Sequence, residues 1–240
     1  MNNRNSDRGP FFECKNLTTA NIPSSVTVLG KSSFFNCTSL SNINIVWENI
    51  ITLWRQAFDN HPDWNFIINL ANCTALGFGA LSKGGNGGDG VTFIKQIYIP
   101  KLQYGDDASS YRNFYTSRGI FKGIKTDLLY LRDIEAFHPG DFCNTDITCL
   151  VINNITPPEW RNSYDKQDSE VTNDEWRKHR VLSSSTIANI YVPDSAVSTY
   201  QSDSNWSTVY DKIKPLSQLT KVATEADLQS GQIALIEAYM

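Results

Sequence analysis

Short apolar–variable–apolar triplets recur along the chain: Ala20-Asn21-Ile22, Ile43-Asn44-Ile45, Phe66-Ile67-Ile68, Ile97-Tyr98-Ile99, Leu129-Tyr130-Leu131, Leu150-Val151-Ile152 and Ile190-Tyr191-Val192. A period of two marks a half-buried strand, because successive side chains leave opposite faces of an extended backbone. Proline closely follows three of the triplets, as Pro23, Pro100 and Pro193. It removes a ladder donor there and stops the strand. One rung per triplet, at about 4.8 Å each, predicts a parallel ladder roughly 30 Å long. The outer members of each triplet face the core. The middle residues, Asn21, Asn44, Ile67, Tyr98, Tyr130, Val151 and Tyr191, face away from it.

The early triplets sit in a longer repeat. Phe12, Cys14, Leu17 and Ile22 recur as Phe35, Cys37, Leu40 and Ile45, each shifted by 23 residues, and Phe58 and Ile68 continue the frame. A unit this small cannot bury its apolar side chains alone, so it must stack on its neighbours with equivalent residues in ladders. Phe12, Phe35 and Phe58 are expected to form one ladder. Cys14 and Cys37 are expected to form another as small buried thiols. After residue 70 the frame blurs: Asn72-Cys73-Thr74 resembles Asn36-Cys37-Thr38 but arrives off the spacing.

These copies resemble the BspA-like leucine-rich repeats of Bacteroides-type bacteria. The C-terminal part resembles the end of such arrays: Thr156-Pro157-Pro158, then Ile190-Tyr191-Val192-Pro193-Asp194-Ser195-Ala196-Val197, Tyr200, Asn205-Trp206 and Ile213-Lys214-Pro215-Leu216. The resemblance implies a right-handed repeat solenoid, a leucine-rich-repeat-like superhelix of short parallel β-strands, turns and a few short helices. It also implies a secreted or surface-anchored protein with adhesion or ligand binding and no catalysis. The family shares no single binding site, so it transfers no functional residue. The terminal pattern has a sense of its own as well. Asp194 is placed to cap a short helix from Ser195 to about Gln201, with Ala196, Val197 and Tyr200 on its buried side. Trp206 and Ile213 then cover the last rung, whose open edge would otherwise face water.

The chain divides into an extension (1–10), repeats with insertions (11–155), a last rung and cap (156–216, with an insertion at 159–182) and a tail (217–240). No comparable cap is visible at the start. The tail segment Gln232–Met240 is apolar enough to dock. The open first rung and this tail are therefore the two expected contacts of a homo-oligomer. The net charge of −4 speaks against a nucleic-acid partner, and no apolar run is long enough for membrane insertion. The start is polar and has no signal-peptide core. Five cysteines without a Cys-x-x-Cys, and three scattered histidines, predict neither a disulfide scaffold nor a metal site.

Lys83–Gly90 is glycine-rich but lacks the Gly-Lys-Ser/Thr of a phosphate loop, and reads as a flexible insertion. Asp89, Asp106 and Asp107 do not match a calcium loop. No catalytic residue, cofactor or metal ligand is expected. The candidate binding residues are aromatic or cationic. Tyr98, Tyr130 and Tyr191 lie on the outward strip. Trp160, Tyr164, Trp176 and Arg177 belong to the insertion before the last rung. Tyr, Trp and Arg dominate binding hot spots, and Trp and Tyr stack on sugar rings, as Trp47, Trp54 and Trp64 also would. The strip reads equally well as cross-strand packing. The sequence thus predicts a non-catalytic recognition module with a protein or glycan partner, extracellular or at the cell surface. The alternative context is a virion, as a phage tail-fibre or receptor-binding subunit; a hydrolase ranks far behind.

Overall fold

All seven triplets fall on or overlap parallel strands. The computed structural model describes residues 8–82, 91–105, 119–137, 140–160, 182 and 185–240. Within them, β1 (Thr19–Asn21) pairs with β3 (Asn42–Asn44). A six-stranded sheet follows, of β5 (Trp64–Asn69), β7 (Thr92–Ile99), β9 (Ile124–Arg132), β11 (Asp146–Asn153), β13 (Thr186–Val192) and β14 (Ile213–Pro215), each beside the next. A second sheet stacks the short strands β2 (Val28–Leu29), β4 (Thr52–Leu53), β6 (Ala75–Leu76) and β8 (Tyr104–Gly105). β10 (Ala136–Phe137) pairs with β12 (Glu159–Trp160), and β15 (Lys221–Val222) with β16 (Leu235–Ile236). Every pairing is parallel, as a β-rich repeat fold requires.

Register aligns the repeats residue by residue. Ile68, Ile97, Leu129, Leu150, Ile190 and Ile213 form one inward row across the large sheet. Leu29, Leu53 and Leu76 form the facing row of the second sheet. Both rows belong to one apolar core. The third triplet is shifted by two residues from its expected place. Asn69, not Ile67, pairs with Tyr98, so the equivalent unit is Ile68-Asn69-Leu70. The strands are also longer than the triplets. Inward residues are spaced by three and then by two, as in Ile94, Ile97 and Ile99 or Ile147, Leu150 and Ile152. The break in alternation lies at the same level in neighbouring strands, so they bend together.

The turns between the two sheets are left-handed corners. Glu13, Asn36 and Asn60 have φ of 58°, 58° and 63°, and Ser32, Gln56 and Gly79 have 53°, 57° and 62°. Their spacing is 23 or 24 residues, and the extra residue moves the aromatic ladder. Phe58 stacks on Phe34, which stacks on Phe11, at 5.1 and 4.9 Å. Phe12 and Phe35 form a separate stack at 4.9 Å, so the expected Phe12–Phe35–Phe58 ladder is not the one formed. Gly77 allows a close approach between rungs: a Cβ there would lie 2.3 Å from the Arg55 nitrogen.

At the C-terminal end, Ala196, Tyr200, Trp206 and Ile213 are buried as expected. Trp206 meets Phe137, Trp160 and Tyr200 edge-on. The helix α1 (Val197–Ser202) is preceded by a 3-10 turn at Asp194–Ala196. Asp194 makes no cap bond there. Its carboxylate instead accepts the Ser217 N–H at 2.9 Å, which ties the cap to the start of the tail; hydrogen bonds from the Ser217 side chain and then its backbone hold the carboxyl below its usual pKa. No helix among the described residues is long and apolar enough to cross a membrane.

Candidate functional site

The outward strip is where the alternation puts it, but it is not open to solvent. Tyr98 and Tyr130 have no exposed surface and Tyr191 is 9% exposed. They form a second apolar cluster with Ile67, Leu128, Cys149 and Val151, separate from the main core. The other half of that cluster is the end of the cap, through Leu216, and the C-terminal tail, through Leu219, Leu235 and Ile236. The tail therefore buries its apolar residues on the chain's own sheet.

Tyr98 is the anchor. Its hydroxyl accepts the Ile236 N–H at 3.0 Å and donates to Gln96 Oε1 at 3.0 Å. Its ring stacks on Tyr130 at 5.8 Å and meets Tyr239 edge-on at 5.2 Å. Tyr239 in turn donates to Glu225 at 2.7 Å. Burial raises the pKa of Tyr98, Tyr130 and Tyr191, so none supplies a phenolate near neutral pH. For these three tyrosines the cross-strand packing reading describes their position, with the tail as the second layer.

Trp160 is also a packing residue. It lies on β12 beside Phe137 of β10, is 6% exposed and packs edge-on against Trp206. Tyr164, Trp176 and Arg177 lie outside the described residues, as do the glycine-rich insertion and Asp89, Asp106 and Asp107. Of the other tryptophans suggested for sugar stacking, Trp64 is fully buried and donates to the Leu40 carbonyl at 2.9 Å. Trp47 is buried against it.

Trp54 differs: it is 42% exposed. It follows β4, where Thr52 pairs with Val28 and Leu53 points into the core, so alternation turns Trp54 outward with Thr52 and Val28. The adjacent Gly30 is exposed, and a Cβ there would meet only Ser33 Oγ, at 3.5 Å. Neither a positive φ nor crowding accounts for glycine at this position. Among the described residues the exposed large apolar side chains are Phe11, Val28, Val46, Ile51, Trp54, Val91, Ile155 and Tyr210. Five of these eight lie between residues 11 and 54, which concentrates them on the first rungs. The outward face of β1 and β3 is also open there, and polar, with Thr19, Asn21, Asn42 and Asn44 exposed.

Three of the cysteines are buried packing residues. Cys37 and Cys73 are fully buried, and burial pushes both thiols up to about 11. Cys149 is likewise pushed up to about 11. Cys14, expected to be buried with Cys37, is exposed on the first described rung. Two asparagines serve turns: Asn36 occupies a corner, and Asn154 exchanges two bonds with the Ile134 backbone at 2.6 and 3.1 Å.

A family model for the BspA type leucine rich repeat region matches residues 4–86, in 6 copies. No curated protein matches the chain. Repeats of this type serve protein interaction and are in general not enzymes. The match spans all the corners and ladders of the first rungs and the patch around Trp54. Over these residues the chain is similar to the BspA type of leucine-rich repeat.

Proposed function

We propose that the chain is a recognition module, a solenoid of leucine-rich-type rungs that binds a protein or glycan partner at a bacterial surface through its first rungs. One observation carries this reading. The tyrosine face is covered by the chain's own tail, whereas Trp54 is exposed inside the family-matched region, on the same outward side as exposed Val28 and with open space over Gly30. A surface Trp combines a large rigid apolar face with a polar N–H and is the residue type most enriched at binding hot spots. The same geometry suits a protein side chain or the flat face of a sugar ring. In the virion reading, the tail expected as a contact packs its apolar residues within the chain instead.

The test is binding of full-length protein to a glycan array and to a panel of purified extracellular-matrix and bacterial surface proteins. Each hit is then repeated with Trp54→Ala. A hot-spot residue costs about 2 kcal/mol or more when truncated, so affinity should fall more than about tenfold. Ligands that bind the variant as tightly as the parent would remove the first rungs from the proposal.

A further inference from the structure

His61 lies between the left-handed corner at Asn60 and β5, and only 2% of it is exposed. Its ring lies on the indole of Trp64, with centroids 3.6 Å apart and planes 19° from parallel. The indole is fixed by its bond to Leu40 and by Phe58 edge-on at 5.3 Å. Both imidazole nitrogens face carbonyl oxygens: Nδ1 is 2.6 Å from that of Pro62, and Nε2 is 3.2 Å from that of Leu81. A carbonyl oxygen accepts and never donates, so each contact is a hydrogen bond only when that nitrogen carries a proton. Neutral imidazole has one such proton, and two bonds require the imidazolium. Turning the ring over does not help. It would bring a ring carbon to 2.6 Å from the Pro62 oxygen, well inside the roughly 3.3–3.6 Å of a C–H···O contact. The negative face of an indole at this distance favours a cation.

The surrounding charges agree. Asp59 and Asp63 flank His61 on its own segment, two residues away on either side. Asp59 is buried and accepts from Gln56 at 3.0 Å; Asp63 accepts the Phe93 N–H at 2.9 Å. The turn at 77–82 brings no charged side chain, and on β7 the nearest is Lys95, three residues beyond Thr92. Two carboxylates thus lie within two residues of the histidine along the chain.

His61 thereby joins successive rungs. It reaches the Leu81 carbonyl, its own carbonyl accepts from Thr92 Oγ1 at 3.2 Å, and the adjacent Asn60 N–H donates to the Ser82 carbonyl at 3.0 Å. We propose that His61 is a buried imidazolium clamping the turn at 77–82 to the start of β5, and that its deprotonation releases this turn, making the middle of the array sensitive to pH. Such a group holds its proton more tightly folded than unfolded. Its stabilisation is complete below the unfolded histidine value of about 6.5 and is lost as pH rises through the folded value.

The test uses full-length 15N-labelled protein and long-range proton–nitrogen spectra of the histidine rings from pH 5 to 9. Of the three histidines, one should keep both ring nitrogens protonated at pH 7.5, and its signals should vanish in His61→Phe. If that variant does not fold, His138→Gln and His179→Gln make the same assignment by elimination. A neutral His61 ring at pH 7.5 overturns the proposal. Amide exchange in the same samples reads the release. Corrected for the intrinsic effect of pH, protection of the Asn60 amide should fall about tenfold as His61 titrates, and constant protection through that titration would overturn the clamp.

Discussion

Replacing Ile236 by alanine tests whether the tail is part of the core or a loose end. Ile236 has no exposed surface, and its side chain lies in the cluster of Tyr98, Tyr130, Val151 and Tyr191. Its N–H is held by the Tyr98 hydroxyl at 3.0 Å. Ile→Ala at a buried site costs about 2–5 kcal/mol, depending on how far the site collapses into the space left. Here the sheet side is rigid, because Tyr98 and Tyr130 stack on each other and are carried by paired strands. The tail side is softer, since β16 has two residues and pairs only with the equally short β15. Partial collapse from that side favours the lower half of the range, about 2–3 kcal/mol. For a chain of this length that lowers Tm by roughly 4–12 °C. The assay is urea unfolding followed by near-ultraviolet circular dichroism, which reports the packed tyrosines, with dye binding measured before any urea is added. If the tail opens locally, dye binding rises first while the strands stay intact. A loss under about 0.5 kcal/mol with no dye binding would refute the claim that the tail is a second core layer; so small a change is typical of surface sites.

Tyr98→Phe should cost about 1–3 kcal/mol in the same urea assay, because it leaves the Ile236 N–H and Gln96 Oε1 buried without their partner. Paired with Ile236→Ala it should be non-additive, since the two residues touch. Gly231 has φ +75° with nothing within 4 Å of a Cβ. Gly231→Ala should therefore lower stability by about 1–2 kcal/mol through backbone strain alone, and Gly231→Asn by less. A melt unchanged by Gly231→Ala would contradict the left-handed turn. Cys37, Cys73 and Cys149, pushed up to about 11 by burial, should resist alkylation at pH 8 while exposed Cys14 labels quickly, as read by mass spectrometry. These raised thiols add stability below the unfolded value of about 8.5, and it is lost as pH climbs toward 11. The drop in Tm above pH 9 should accordingly shrink in a Cys149→Ala variant.

The strands were legible because alternation is local: Ile97-Tyr98-Ile99 and Leu150-Val151-Ile152 state their two faces in three residues. Strand length was not, because the bend puts two successive residues outward, Lys95-Gln96 and Asp127-Leu128 among them, and breaks the period that reveals a strand. The one-residue difference between the corners at Asn36 and Asn60 likewise hid which phenylalanines stack. The destination of the tail was out of reach for another reason. The Tyr98 hydroxyl meets the Ile236 N–H across 138 positions. No local pattern links an outward tyrosine to an apolar segment that distant, although each was recognisable as a surface in need of cover. Trp54 was readable in principle, since Thr52-Leu53-Trp54 alternates about a buried leucine. It was obscured by Trp47 and Trp64 nearby, which the same composition made equally attractive.

The covering of the tyrosine strip constrains where a partner can act. A ligand that used Tyr98 or Tyr130 would first have to lift Leu235 and Ile236, whose burial stabilises the docked tail by an upper estimate of about 1.5–3 kcal/mol per side chain. Undocking at a cost of about 4 kcal/mol would leave roughly one molecule in a thousand competent, weakening apparent affinity by the same factor. A partner at Trp54 meets no such factor, because the indole is already exposed and the backbone around it is fixed by ladder bonds such as Trp54 N–H to the Leu29 carbonyl at 2.9 Å. Preorganisation thus favours the first rungs by about three powers of ten over the tyrosine strip. The two faces are separable by experiment: a ligand of the strip should bind Ile236→Ala more tightly than the parent, and a ligand of the first rungs should bind both alike.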